Sequence, residues 1–194
     1  MRFLPQFIVI LLVLVAVSRA QSNVCGVLPT DAKQLLQRRF PAWRTKRVSD
    51  LVEDDHNLWL ETHRKECPGI AVGRFEQANR DAYAILLVPK SDATSGYKII
   101  VLSKTSSEYA VRLLDQAEGS DSGLVITREP PGRHSEFGGG KSVHLTLDGV
   151  NVEWLEKSSV LYYWSAASTR IFQLLTRGTI AAMTGHYTNR ELRL

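Results

Sequence analysis

The chain has 194 residues, of which 44% are hydrophobic and 23% are charged. This composition excludes intrinsic disorder, a collagen-like repeat and a disulfide-dense mini-protein. The sequence carries 24 Lys and Arg against 20 Asp and Glu, and residues 1–20 contain Arg2 and Arg19 but no acid, which leaves a net charge of +2 for residues 21–194. This near balance excludes a protein that binds a polyanion such as nucleic acid through its global charge.

Residues 1–20 have the pattern of an export signal. Arg2 gives a positive start, residues 7–17 form an unbroken apolar run, and Ser18 and Ala20 occupy the small-residue positions of a cleavage site. The apolar run is shorter than the roughly 20 residues that a membrane-spanning helix needs. We therefore predict cleavage after Ala20, a periplasmic or extracellular location, and no stable membrane insertion of the mature chain.

Two cysteines follow the predicted signal, Cys25 and Cys67. An even number of cysteines in an exported chain favours a disulfide, because the compartment outside the cytoplasm is oxidising. The alternative interpretation is a pair of buried free thiols. The sequence has no Cys-x-x-Cys motif of the kind that thiol redox proteins use.

The N-terminal part of the mature chain has helical spacing. Asp31 suits a first helical turn, apolar residues then recur at helical spacing, and Pro41 ends the run, which predicts a helix over residues 31–40. A second helix is predicted over residues 54–66. It begins with Asp54 and Asp55, where the helix dipole favours acids.

From residue 70 onward the pattern changes to short strands separated by turn residues. The predicted strands are residues 70–75, 82–88, 97–103, 123–128, 143–148, 150–155, 159–164 and 170–176. Residues 82–88 are apolar on both faces, as in a central strand. Residues 108–118 fit either a strand or a helix.

The turns of the C-terminal half predict a β-meander. Asp148 and Gly149 form a tight hairpin signal, and residues 156–158 and 165–169 provide two further turns. Residues 129–140 contain two prolines and four glycines and are predicted to be a long loop.

These elements predict the α+β class, with short N-terminal helices packed on a curled, mainly antiparallel β-sheet that ends in a β-meander. We expect three segments: the signal peptide (1–20), a single globular domain (21–178) and a loosely attached C-terminal tail (179–194).

The motifs that could carry chemistry are incomplete. Gly138 to Ser142 resemble the end of a phosphate-binding loop, but the required earlier glycine is replaced by Ser135 and a strand follows. The sequence has five histidines, and His56 and His63 are close to Asp54 and Asp55, which an exposed helix start also explains. We predict no metal, no cofactor and no catalytic residues.

One segment resembles the loop and strand of bacterial FG-GAP or VCBS-type repeats. The family's glycine, phenylalanine, acidic and final alanine positions are matched by Gly73, Phe75, Glu76 and Ala84. In that family the acids of the loop hold calcium. Three of its aspartate positions are occupied here by Arg74, Ala78 and Ala82. Residues 67–164 as a whole are similar to small exported bacterial proteins, which implies a compartment and no activity.

The sequence favours a non-enzymatic exported protein that binds a protein or another macromolecule of the cell envelope, as an inhibitor or accessory module. Aromatic residues and arginines often anchor interfaces. The candidate binding residues are therefore Trp43, Arg44, Arg47, Phe137 and Tyr163. Trp43 lies among the five cations Arg38, Arg39, Arg44, Lys46 and Arg47. Strand alternation predicts that Tyr163 lies on the opposite face from Tyr162 and Trp164.

Two other classes of function fit the same pattern. The first is a hydrolase of envelope material, with His144, Asp148 and Glu153 as candidates on neighbouring strands. The second is a structural envelope component that acts by assembly.

Overall fold

The computed structural model describes residues 24–119, 122–136, 140–165 and 168–174. The predicted signal peptide (1–20), the predicted tail (179–194) and the candidate binding residue Phe137 lie outside the described residues.

The described residues form two α-helices and eleven β-strands. The helices are α1 (Thr30–Arg39) and α2 (Glu53–Thr62). The strands are β1 (Trp43–Thr45), β2 (Ile70–Gly73), β3 (Ala82–Pro89), β4 (Gly96–Lys104), β5 (Tyr109–Glu118), β6 (Leu124–Glu129), β7 (Gly132–Ser135), β8 (Ser142–Leu145), β9 (Gly149–Trp154), β10 (Ser158–Ser165) and β11 (Ser168–Leu174).

These strands lie in three antiparallel sheets. In the five-stranded sheet, β1 and β2 pair with successive parts of one edge of β3, and β4 and β5 follow on its other side. The four-stranded sheet has the order β11-β10-β9-β6, and β7 and β8 form a separate hairpin. The sequence prediction of a central strand at residues 82–88 is confirmed, because β3 has partners on both sides.

The main core lies where the two large sheets pack against each other. Alternate residues of β3 and β4, such as Leu86 and Ile99, meet β6 and β9 residues such as Ile126 and Val152. All four side chains are almost fully buried. Because side chains alternate between the two faces of a strand, the remaining apolar residues of β3 and β4 face away from this core.

A helix packs on part of the outer face of each large sheet. Ala32 of α1 packs with Ile85 and Leu102 on the outer face of the five-stranded sheet. Trp59 of α2 is fully buried and packs with Val125 of the four-stranded sheet. Both faces of β3 and β4 are therefore covered, which explains why these strands are apolar on both faces.

The α+β class and the predominance of antiparallel strands are confirmed. The predicted helix over 31–40 is α1, and the second predicted helix begins as expected but ends at Thr62. His63 follows as the C-terminal cap, with its ring stacked on Trp59 at a centroid distance of 4.3 Å. The ambiguous residues 108–118 form β5, paired with β4.

The predicted hairpin at Asp148 and Gly149 is wrong. β8 pairs with β7, whereas β9 pairs with β6 and β10, so the meander consists of β9, β10 and β11. Asp148 is buried and accepts a hydrogen bond from the backbone N–H of Arg74. Gly149 is required for close packing, since a Cβ atom there would lie 2.6 Å from Cδ1 of Leu161.

The predicted loop over residues 129–140 is wrong for its first half, and β1 was not predicted. Residues 132–135 form β7, which pairs with β8, and the Glu136 N–H donates to the Lys141 carbonyl. Pro130 and Pro131 lie between β6 and β7, just before this hairpin. β1 is only three residues long, and its strand character depends on pairing with β3.

The predicted disulfide between Cys25 and Cys67 is confirmed, with a Cα–Cα distance of 4.9 Å. Cys67 precedes β2, and Cys25 lies in a short 3₁₀ turn before α1. Both cysteines pack with Leu28 and Ile70 in the core under α1. The disulfide therefore ties the start of the chain to the five-stranded sheet.

We predict that replacing both cysteines with serine lowers the free energy of unfolding by about 4 kcal/mol, the chain-entropy value for a loop closed over 42 residues. The measurement is urea unfolding of the oxidised wild type and the double variant, with reduced and alkylated wild type as the control. Equal stability of the oxidised and reduced wild type would contradict the prediction.

Candidate functional site

A groove open to solvent lies at one end of the five-stranded sheet. It runs between the β2–β3 loop (residues 74–81) and the β4–β5 turn (residues 105–108) and has a volume of about 390 Å³. Its lining consists of Arg80, Asp81, Tyr83, Lys104, Thr105 and Tyr109. The groove therefore combines two cations, one acid and two tyrosines.

The β2–β3 loop is held in place at three points. Phe75 is fully buried in the core between the sheets. The Arg74 N–H donates to Oδ2 of Asp148 at 2.7 Å. Glu76 accepts hydrogen bonds from Oγ of Ser103 at 2.6 Å and from Nε of Arg112 at 2.7 Å. These contacts hold the first half of the loop in place, and Arg80 lies in the half that follows.

The opposite wall of the groove is a tight turn. The Thr105 N–H donates to the Glu108 carbonyl at 2.7 Å, and the Thr105 hydroxyl hydrogen-bonds both to that carbonyl and to the Glu108 N–H. These bonds connect the ends of β4 and β5, where Lys104 pairs with Tyr109. Both walls of the groove are therefore ordered by local hydrogen bonds.

The floor of the groove is formed by two tyrosines in an edge-to-face contact. The ring centroids of Tyr83 and Tyr109 are 6.4 Å apart. Nζ of Lys104 lies 5.6 Å from the Tyr109 ring centroid and 3.3 Å from Oδ2 of Asp31, at the start of α1. Lys104 therefore covers one ring and is tethered to the helix.

Asp31, Lys104 and Tyr109 influence one another's ionisation at this end of the sheet. The hydrogen bond and charge of Asp31 raise the pKa of Lys104. Burial, together with Asp31, raises the pKa of Tyr109 and keeps its phenol neutral. Although desolvation opposes ionisation of Asp31, the Ala32 N–H and Lys104 lower the pKa of its carboxyl. Lys104 and Asp31 are consequently an ion pair at neutral pH.

Arg80 has no such acidic partner. Its guanidinium donates a single hydrogen bond, from Nη1 to the Lys104 carbonyl at 3.2 Å, and it forms no ion pair with any acid among the described residues. The neighbouring acid, Asp81, lies 3.7 Å from Nε of Arg74. Arg80 is thus an exposed cation that is oriented by the backbone and open to an anion.

The structure places three of the predicted binding residues around β1. Arg44 forms a bidentate ion pair with Asp50, in which Nη1 donates to Oδ2 at 2.5 Å and Nη2 donates to Oδ1 at 2.7 Å. Desolvation opposes ionisation of Asp50, but Arg44 and the Arg47 N–H lower the pKa of its carboxyl. The Arg47 side chain is exposed. Trp43 is half-buried in the core under α1, with Nζ of Lys98 at 4.9 Å from its ring centroid.

Lys46 does not belong to a cationic surface. It is 1% exposed, and its Nζ donates to the Ser122 carbonyl. The predicted run of five cations therefore contains one buried residue and one ion-paired residue, and Arg38, Arg39 and Arg47 remain exposed.

Tyr163 lies on β10 of the four-stranded sheet and is half-buried. Tyr162 is in the core between the sheets and Trp164 packs against that core, so the predicted division of the faces is confirmed. Tyr163 is in a different sheet from Trp43, Arg44 and Arg47. The predicted binding residues thus do not form one cluster.

No hydrogen bond connects the three candidates of the hydrolase hypothesis. His144 is exposed on β8. The carboxylate of Asp148 is 6% exposed and binds the Arg74 N–H, with Arg128 at 3.6 Å. Glu153 is half-buried on β9, opposite Val125 and Ser159. Asp148 therefore has a structural role in joining the β2–β3 loop to the start of β9.

The segment with FG-GAP-like spacing forms a hairpin, since Gly73 pairs with Ala82 across the β2–β3 loop. Glu76, its acidic match, is engaged by Ser103 and Arg112. Within the described ranges, no three His, Cys, Asp or Glu side chains form a group that could hold a metal ion.

No protein-family model, no curated protein and no solved structure matches the chain. No helix within the described residues is long and apolar enough to cross a membrane.

Sequence reasoning missed the groove. The β2–β3 segment is predicted only as an FG-GAP-like loop, and no sequence prediction concerns Lys104. The available signal is Arg80 just before a buried strand, together with one tyrosine near the start of each of β3 and β5, Tyr83 and Tyr109. What the sequence could not supply is the register that brings Lys104 next to Tyr109.

Glu153 is a carboxylate whose ionisation the fold opposes. Burial raises its pKa, and Glu129 adds to this shift while His63 opposes it. A folded pKa above the ordinary value of about 4.3 makes the folded state bind the proton more tightly than the unfolded state. The folded state therefore loses stability as the pH rises from that ordinary value through the raised pKa of Glu153.

We predict that Glu153→Gln raises the melting temperature at pH 7, by roughly 2–4 °C for each kcal/mol of relieved penalty. The gain should shrink as the pH falls toward 4, where the wild-type carboxyl is protonated. Thermal unfolding at several pH values tests this, with Glu118→Gln on an exposed strand end as the control. A variant that is less stable than the wild type at pH 7 would show that the carboxylate makes a stabilising contact.

Proposed function

We propose that this protein is exported and acts without catalysis by binding a macromolecular partner at the groove between the β2–β3 loop and the β4–β5 turn. The signal-like residues 1–20 and the Cys25–Cys67 disulfide support export. The partner is a protein or another macromolecule of the cell envelope or its surroundings.

The observation that carries the proposal is the arrangement of Arg80. Arginine and tyrosine are enriched at protein interfaces, where a fixed cation beside aromatic rings provides both charge and apolar area. Arg80 meets these conditions because its guanidinium is held by the Lys104 carbonyl beside Tyr83 and has no acidic partner among the described residues. An ordered site also costs less conformational entropy on binding.

The residues predicted from the sequence are proposed as additional contacts outside the groove. Trp43, Arg44 and Arg47 follow α1 at the edge of the five-stranded sheet, and Tyr163 lies on the four-stranded sheet. Phe137, which lies outside the described residues, stays in this set as a sequence prediction. A partner that spans more than one of these surfaces would be large.

Site-specific photocrosslinking tests the proposal with two exposed serines. A photoreactive amino acid replaces Ser106 in the β4–β5 turn, or Ser91 in the β3–β4 turn as the control. The full-length chain is expressed with its own first twenty residues and purified under oxidising conditions. Each variant is then illuminated in an extract of the envelope from the cells that export it.

We expect a discrete crosslinked species of constant stoichiometry from position 106 and not from position 91, because only the turn at Ser106 borders the groove. Crosslinking of the same species at both positions, or at neither position, would contradict the assignment of the groove as the binding site.

A further inference from the structure

We propose that the groove recognises a carboxylate side chain of an acidic peptide segment on a partner protein, and that Arg80 is the residue that binds it. This inference rests on the proposed function and adds the chemistry of the partner. Three observations carry it: the open donors of Arg80, the pairing of the nearby acids, and the covered face of Tyr109.

The first observation concerns the donors of Arg80. A guanidinium has five N–H donors in a planar fork that matches the two oxygens of a carboxylate. One donor of Arg80 is used on the Lys104 carbonyl, which orients the guanidinium toward the groove. The other donors have no described partner and can bind a carboxylate with two parallel hydrogen bonds.

The second observation concerns the acids near the groove. Asp31 is paired with Lys104 at 3.3 Å, and Asp81 lies 3.7 Å from Arg74. Glu76 is satisfied by Ser103 and Arg112. Each of these three acids therefore has a cation of its own. Among the described residues Arg80 forms no ion pair with any acid, including Glu108 of the β4–β5 turn, so its charge is left for an incoming anion. Charge complementarity of this kind selects an acidic partner.

The third observation argues against a nucleic acid. Bases stack on an open aromatic face. Tyr109 is 8% exposed and carries Nζ of Lys104 over its ring, so this face is occupied. A single carboxylate flanked by apolar side chains fits better, with the apolar part packing on the half-buried Tyr83.

Binding of a defined peptide tests this inference. The probe is a short, fluorescently labelled peptide, blocked at both ends, with one central glutamate between two phenylalanines. Its matched control has glutamine in place of the glutamate. Fluorescence anisotropy is measured with the full-length chain, purified in the oxidised form, at low and at physiological ionic strength.

Three variants separate the role of Arg80 from a general loss of charge. Arg80→Gln removes the fork, Arg80→Lys keeps only the charge, and Arg64→Gln removes an exposed cation after α2. Thermal unfolding of each variant establishes that it is folded. Because Arg80 is exposed and makes one backbone hydrogen bond, all three variants should fold.

We expect the glutamate peptide to bind at least about tenfold more tightly than the glutamine peptide, with an affinity that falls as salt rises. Arg80→Gln should remove this preference, Arg80→Lys should retain part of it, and Arg64→Gln should leave it unchanged. Arg80→Gln should also weaken the photocrosslink at position 106.

Equal binding of the two peptides, or an unchanged preference in Arg80→Gln, would overturn the inference. Binding of a polyuronate or of inorganic phosphate in preference to the glutamate peptide would overturn it as well, because Arg80 would then bind a different class of anion. If the photocrosslink at position 106 forms while the peptide preference is absent, only the carboxylate assignment fails. If the crosslink is absent as well, the proposed function fails with it.

Discussion

Burial of Phe75 between the two large sheets is the contact on which the arrangement of the groove depends. Phe75 lies two residues after β2, and its full burial turns the following chain away from the core and back toward β3. The Arg74–Asp148 hydrogen bond joins this loop to the residue just before β9 of the four-stranded sheet. Residues 77–81 are therefore held at the sheet end although their own side chains are exposed.

The same core joins the two large sheets into one structure. Each sheet buries one face against the other, and a helix packs on part of its opposite face. The disulfide fixes the segment before α1 to the segment before β2, so the helix that supplies Asp31 cannot separate from the sheet that supplies Lys104. The groove is thus assembled from elements that stability requires in any case. The guanidinium of Arg80, unpaired with any acid among the described residues, is the part of the groove that stability does not explain.

Local patterns predicted much of this fold. Apolar periodicity located both helices and most strands, and the cysteine count predicted the disulfide. The errors arose where a long-range contact decides the structure. Asp148 and Gly149 resemble a hairpin turn, yet the Asp148 carboxylate binds Arg74 and the glycine admits Leu161. In the same way, Lys46 reads as a surface cation but is buried, and the groove depends on a strand register that composition cannot reveal.

Hydrogen exchange of the backbone, measured by mass spectrometry with and without the crosslinking partner, tests the central claim most directly. The account predicts slower exchange in residues 77–83 and 105–109 when the partner is bound, because these segments form the walls and floor of the groove. Protection confined to residues 43–47 or 158–165, with no change at the groove, would contradict it and move the binding surface to the residues around Trp43 or Tyr163.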